Sequence, residues 1–150
     1  MGREEEWMRL AIAEAKLSLA HNDIPIGALV ISNGEIIASR HNERELQGDP
    51  TAHAEVLAIR DAAIALGTSR LDGATLVTTL EPCPMCAGAA LVARISHVVF
   101  GAEDPKAGSL GSLYQLGEDP RLNHEFAVTP RVLQEECGDL LTKFFSDKRD

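Results

Sequence analysis

Aromatic residues are scarce in this 150-residue chain: 4%, made up of one Trp, one Tyr and four Phe. Surfaces for stacking are therefore sparse. Cysteine is scarce as well, with three residues, two of them in a C-x-x-C at Cys83 and Cys86. An odd count of three argues against a disulfide framework and makes a reducing cytosol the expected compartment. No apolar run approaches the ~18–20 residues of a membrane span. The start, Met1-Gly2-Arg3-Glu4-Glu5-Glu6, is acidic and lacks the basic n-region of a secretory signal. Heptads, Gly-X-Y periods and 20–50-residue repeats are absent. Basic residues are outnumbered, 14 Lys+Arg against 23 Asp+Glu, for a net charge of −9. That balance argues against loose, non-specific binding to nucleic acid, although it leaves room for a local basic patch. What remains is ordinary for a globular chain: 45% hydrophobic and 25% charged residues. The length fits a single domain, residues 1–150, large enough to bury a core.

The hydrophobic periodicity places the elements. Trp7, Met8, Ala11, Ile12, Ala15 and Leu19 recur at helical spacing and predict a helix over 4–20, stopped by Asn22-Asp23 and Pro25. Two β-branched runs, 26–31 and 35–40, flank Asn33-Gly34 and predict a hairpin. Residues 42–50 read as a loop. A second helix is expected over 51–66, capped by Asp49 or Thr51 and ended by Gly67. A buried strand follows at 76–80, a small apolar helix at 84–93 and a strand at 96–100. The segment 101–122, rich in Gly, Ser, Asp and Pro, has the length of a functional loop. A fifth strand over 125–128 and a helix over 132–143 complete the chain, with Phe144-Phe145 docking its end. Strands alternating with helices give an α/β layered class.

Two local motifs carry the chemistry: Thr51-Ala52-His53-Ala54-Glu55, and Glu81-Pro82-Cys83-Pro84-Met85-Cys86. Three protein ligands plus one open position mark a catalytic zinc site, and His53, Cys83 and Cys86 supply three. Cys83 and Cys86 sit at a predicted helix start, where free N–H groups and the dipole favour thiolate. His53 falls in the first turn of its own predicted helix. Glu55, two residues on, is placed to shuttle a proton beside a zinc-activated water, whose pKa falls to about 7. Each motif alone is a weak signal. Together, thirty positions apart, they match the H-x-E…P-C-x-x-C signature of zinc deaminases. A structural four-cysteine site fails for lack of cysteines. Cys137, among Leu133, Leu140 and Leu141, reads as a packing residue.

The resemblance extends over residues 7–149. It is carried by Asn22-Asp23-Ile24-Pro25-Ile26-Gly27-Ala28, Asn42, residues 49–55 and residues 80–89. It continues through Val98-Val99-Phe100-Gly101-Ala102, residues 104–109, Gly111-Ser112-Leu113, Asn123-His124, Glu136-Cys137 and the Phe144-Phe145…Arg149 ending. In these the chain resembles bacterial tRNA-specific adenosine deaminases, a branch of the cytidine deaminase superfamily. The resemblance implies a three-layer α/β/α sandwich around a five-stranded mixed sheet, one zinc ion per subunit, and a cytoplasmic homodimer. It implies hydrolysis of the wobble adenosine of a tRNA anticodon, of an arginine tRNA in the family, to inosine. Asn42 would hydrogen-bond the purine edge, and the Ala54 N–H would donate to the base or to the zinc-bound oxygen. Ile26 and Leu80 would wall the pocket, and Asn123 would contact the RNA backbone near the target nucleotide.

Recognition of the anticodon stem-loop needs phosphate partners. The candidates are Lys106 above all, then Arg70, Lys148 and Arg149, with Arg121 and Lys143 behind them. Glu43, Glu45, Glu118 and Asp119 are expected to lie away from the pocket. His21, His41, His97 and His124 read as surface or packing residues, His21 at a helix end. The small-faced helix with Gly88, Ala89 and Ala90 suits either a subunit contact or tight seating on the sheet. The rivals are a zinc deaminase of a free base or nucleoside, and a structural zinc module with no use for Glu55.

Overall fold

The computed structural model describes residues 2–149 and the side chains of residues 2–148. The chain folds around one mixed sheet of order β2-β1-β3-β4-β5. β1 (Gly27–Ser32) and β2 (Glu35–His41) form an antiparallel hairpin. Asn33 and Gly34 turn it with φ of 52° and 80°, the pair of positive values that matches the twist of the flanking strands. β1 pairs antiparallel with β3 (Thr75–Leu80), and β4 (His97–Ala102) and β5 (Ala127–Thr129) follow in parallel. The parallel pair β3–β4 requires a crossover, and α4 (Pro84–Val92) supplies it.

Alternation along the strands sorts the core into two faces. Leu29, Ile31, Val77 and Val99 point to one side and meet Met8 and Ala11 of α1 (Gly2–Lys16) and Cys137 of α5 (Gln134–Arg149). Ala28, Val30, Leu76, Val98 and Phe100 point to the other and meet Ala54, Ala58 and Ala62 of α3 (Ala54–Leu66) and Ala87 and Ala90 of α4. The result is the expected three-layer α/β/α sandwich. Small residues set the spacing of the first face. A Cβ on Gly27 would lie 2.0 Å from the Ala11 carbonyl oxygen, and one on Gly101 would lie 2.3 Å from Cys137 Sγ. Cys137 is thus the packing residue its neighbours imply, and burial pushes its thiol up to about 12.

The structure departs from the sequence reading at element ends. The first helix tightens into a 3₁₀ turn over Leu17–His21. The loop after β2 contains a four-residue helix, α2 (Arg44–Gln47). α3 begins at Ala54, not at Thr51, because the Asp49 carboxylate is spent on the N–H and hydroxyl of Thr51 at 2.9 and 2.8 Å. The role of cap passes to Asn42, twelve residues upstream, whose Oδ1 accepts from the Ala54 N–H at 2.8 Å. The last two strands shift a residue or two C-terminally, to 97–102 and 127–129. α5 runs six residues past the expected end, because no Gly or Pro stands between Asp139 and Arg149 to stop it. That extension buries Phe144 and leaves Phe145 half exposed.

Candidate active site

Two helix starts converge at the C-terminal end of β3. His53 immediately precedes α3 with extended backbone (φ −77°, ψ 147°), and Cys83 holds the same place before α4 (φ −74°, ψ 174°). His53 is therefore the cap position rather than a first-turn residue. Pro84 takes the first helical position of α4, where its missing N–H costs nothing. One turn later Cys86 is fully buried. His53 Nδ1 stands 3.8 Å from Cys83 Sγ and 3.5 Å from Cys86 Sγ. The ligand atoms of all three residues lie within 4.8 Å of one another. A tetrahedral zinc with sulfur at ~2.3 Å and nitrogen at ~2.0–2.1 Å needs S···N separations near ~3.6 Å. The donor set fits.

Electrostatics agrees. The Cys86 hydrogen bond, helped by His53, holds the Cys83 thiol down to about 4. The hydrogen bond with Cys83, together with burial, pushes the Cys86 thiol up. Two adjacent thiols resist joint ionisation unless a cation lies between them, and a divalent metal removes the conflict.

Glu55 is the second residue of α3 and is buried. Burial raises its carboxyl to about 7, with His53 nearby opposing the rise. Its Oε1 has no hydrogen-bond partner. A buried carboxyl oxygen with no partner is costly for stability alone. It suits a group that must take and release a proton near neutral pH.

Asn42 is buried and held from three sides. Ser18 Oγ donates to its carbonyl at 2.9 Å, its own N–H donates to Ile26 at 3.1 Å, and its Oδ1 takes the Ala54 N–H. The Ala54 N–H, expected to serve a ligand, is engaged here. Because a backbone donor fixes Oδ1, the side-chain NH₂ is the end of Asn42 left for a ligand.

Ile26 and Leu80 line one cavity of about 750 Å³, together with Ile24, Lys106 and, from α5, Leu141 and Phe145. Of its lining residues, Ile26 accepts from the Asn42 N–H, and Leu80 stands three positions before Cys83. A smaller groove carries Asn42, Phe145 and Lys148. Lys106 is exposed, and none of the four lysines forms an ion pair among the described residues.

The other candidates fare differently. Arg70 is set against Asp72 before the N-terminal end of β3. Six residues of strand, roughly 17–20 Å, separate that end from the site, which removes Arg70 from its rim. Arg121 is bound by Asp119 through two nitrogens. Asn123 is exposed and lies with Gly88, Val92 and Arg94 on another cavity, away from Ile26 and Lys106. The side chain of Arg149 lies outside the described residues. Acidic groups are not kept from the rim, since Glu103 and Asp104 share the cavity of Lys106 and Glu45 shares the groove of Lys148.

The histidines are structural in finer ways than the sequence suggested. His21 pairs with Asp23 at 2.6 Å and packs against His41, which meets Glu14. His97 bonds Thr129, and His124 bonds the Ile95 carbonyl. Sequence reasoning missed the supports: Ser18, Asp23 and Glu81. Nothing in local spacing marks them, because each acts on a segment about twenty or more residues away.

Comparison with known proteins agrees with this geometry. Residues 1–102 match the cytidine and deoxycytidylate deaminase zinc-binding region. The tRNA-specific adenosine deaminase of Bacillus subtilis (strain 168) is 52% identical over 149 residues, covering 99% of this chain and 92% of that protein. A solved structure from work on A-to-I editing by tRNA:A34 deaminases superposes with a TM-score of 0.87 at 40% identity, over 91% of this chain and 99% of the other. The guanine deaminase of Bacillus subtilis is similar too, with a TM-score of 0.66 and 33% identity over 97% of this chain and 94% of its own. With its His53, Cys83 and Cys86 zinc site and buried Glu55, the chain is a zinc-dependent deaminase and belongs to the family of tRNA-specific adenosine deaminases.

Proposed function

We propose that the protein hydrolyses the wobble adenosine of a tRNA anticodon, that of an arginine tRNA by family resemblance, to inosine. Water replaces the exocyclic amine at C6, and ammonia leaves. The observation that carries this reading is Glu55, a buried carboxyl with an unpartnered oxygen beside a three-ligand metal set. His53, Cys83 and Cys86 would hold the zinc, which when bound would supply an activated water as nucleophile. Glu55 takes the proton of that water and gives it to N1 of the purine, which makes C6 electrophilic. It then carries the second proton to the departing amine. The Asn42 NH₂ donates to an acceptor on the purine edge, and Ile26 and Leu80 exclude water from the base. Lys106 and Lys148 neutralise phosphates flanking the flipped nucleotide. Arg149 is the remaining candidate for that role, and Asn123 is assigned to the RNA backbone further from the base.

The enzyme works as a homodimer in the cytoplasm in this reading. An uncovered apolar face on α4 supports the dimer: Val92 is 78% exposed, with Leu122 beside it. No helix among the described residues is long and apolar enough to cross a membrane.

The test is inosine formation in an unmodified arginine-tRNA anticodon stem-loop, with free adenosine, cytidine and guanine in parallel. Glu55→Ala should keep stoichiometric zinc and lose about 10²–10⁴-fold in turnover. Ammonia from guanine alone, with the stem-loop untouched, would keep the zinc chemistry and overturn the RNA substrate.

A further inference from the structure

Glu81 is 1% exposed, and the hydrogen bonds of its carboxylate run to neither His53, Cys83 nor Cys86. Its carboxylate faces the loop that follows β4. Oε1 accepts from the Asp104 N–H at 3.0 Å and from the Ser112 hydroxyl, and Oε2 accepts from the N–H groups of Leu110 and Ser112, both at 3.0 Å. Four donors from three loop residues thus converge on one side chain. The fit leaves no spare space: a Cβ on Gly108 would lie 2.3 Å from Glu81 Cδ. A second tie runs from the Ser109 N–H to the Pro82 carbonyl at 2.9 Å. The loop so held delivers Asp104, Lys106 and Ala107 to the cavity that Leu141 and Phe145 also line. Two residues beyond Glu81 stands Cys83.

We propose that Glu81 is a positioning residue, the internal template that locks the 104–112 loop to the metal-ligand turn and so sets the substrate-facing rim at Asp104 and Lys106. The claim deepens the reading of the cavity as the RNA mouth and rests on it for its kinetic half. Within the loop the N–H groups of Lys106, Ala107, Gly108 and Gly111 find acceptors close by in the chain, whereas those of Asp104, Leu110 and Ser112 are satisfied by Glu81. Each backbone N–H needs such a partner when it leaves water. A buried carboxylate can accept all three at once and gains strength from each.

Glu81→Gln discriminates by chemistry. An amide carries one oxygen and one NH₂. The oxygen can keep Leu110 and Ser112, and the NH₂ can turn to the Ser112 hydroxyl. It then confronts the Asp104 N–H, donor against donor. The expected result for the zinc-loaded, full-length variant is unchanged zinc content and faster amide exchange across residues 104–112. For the stem-loop, KM should rise about tenfold with kcat within about threefold, the cost of one charge-assisted hydrogen bond lost from substrate positioning. Ser112→Ala, which removes only the hydroxyl, should move both readouts in the same direction by less, and it decides the matter if Glu81→Gln does not fold. A loop as protected as in the native protein, or a collapsed kcat at unchanged KM, would overturn the proposal. Failure of the native enzyme to deaminate the stem-loop would sink the RNA reading alone. The exchange measurement would still decide what Glu81 holds.

Discussion

In the proposed reading Asn42 carries two duties on one side chain, and its two ends can be separated. The oxygen caps α3 through the Ala54 N–H, and the NH₂ is free for a ligand. Asn42→Ala removes both. It should cost about 1 kcal/mol of stability, as loss of a helix cap does, and raise KM. Asn42→Asp keeps an acceptor for Ala54 and loses the donor. It should retain the unfolding midpoint and share the KM defect. A thermal melt beside steady-state kinetics checks both. Equal loss of stability in the two variants would mean that the oxygen is not the cap. His53, Glu55, Cys83 and Cys86 were legible in the sequence because their spacing is local. Asn42 as a cap was not, because nothing in a sequence says which turn will fold back across twelve residues.

At the scale of elements, Asp23 shows how a short helix is made where the pattern reads as loop. Its two oxygens accept from the N–H groups of Glu45 and Leu46 at 2.7 and 3.1 Å, which starts α2. Burial works against the charge of Asp23, but these bonds and His21 outweigh it and hold the carboxyl below its usual 3.8. A group whose folded pKa is lowered contributes stability above its unfolded value and loses it as pH falls through the folded one. Asp23→Asn should therefore destabilise the protein at neutral pH by about 1–3 kcal/mol. The gap to the native protein should begin to shrink as pH falls through the usual value of 3.8 and close only below the lowered folded value, where the native carboxyl also protonates. Urea melts at pH 7 and pH 3.5 measure it, and a gap that does not shrink would contradict the assignment. The hairpin at Asn33-Gly34 was readable because its turn chemistry is contained in two residues. The true start of α3 was not, because Asp49, a good cap by type, is used locally by Thr51.

Under the proposed function the whole molecule, with a net charge of −9, has to bind an anionic substrate. The arrangement that permits this lies in which cations are free. Arg40, Arg70, Arg121 and Arg131 are each tied to a carboxylate. Lys106 and Lys148 are not, and they stand on neighbouring cavities along α5. Lys106→Glu should weaken stem-loop binding and flatten the slope of log K against log salt by about one, as loss of a phosphate contact does. Titrations at several salt concentrations test it, and an unchanged slope would take Lys106 out of the footprint.

The sequence by itself determined the chemistry of this protein. Three zinc ligands and the proposed proton carrier lie in two short motifs, and their residue types and spacing point to that chemistry before any fold is known. It also determined the layered class, because strand and helix periods are local properties of the chain. Only the tertiary structure decided which residues stand around that chemistry. Asn42 as the cap of α3, Glu81 under the 104–112 loop, the place of Arg70 before the far end of β3 and the cavity that Lys106 shares with Asp104 all depend on contacts between distant segments. Such contacts are fixed when the sheet forms and the helices close over it.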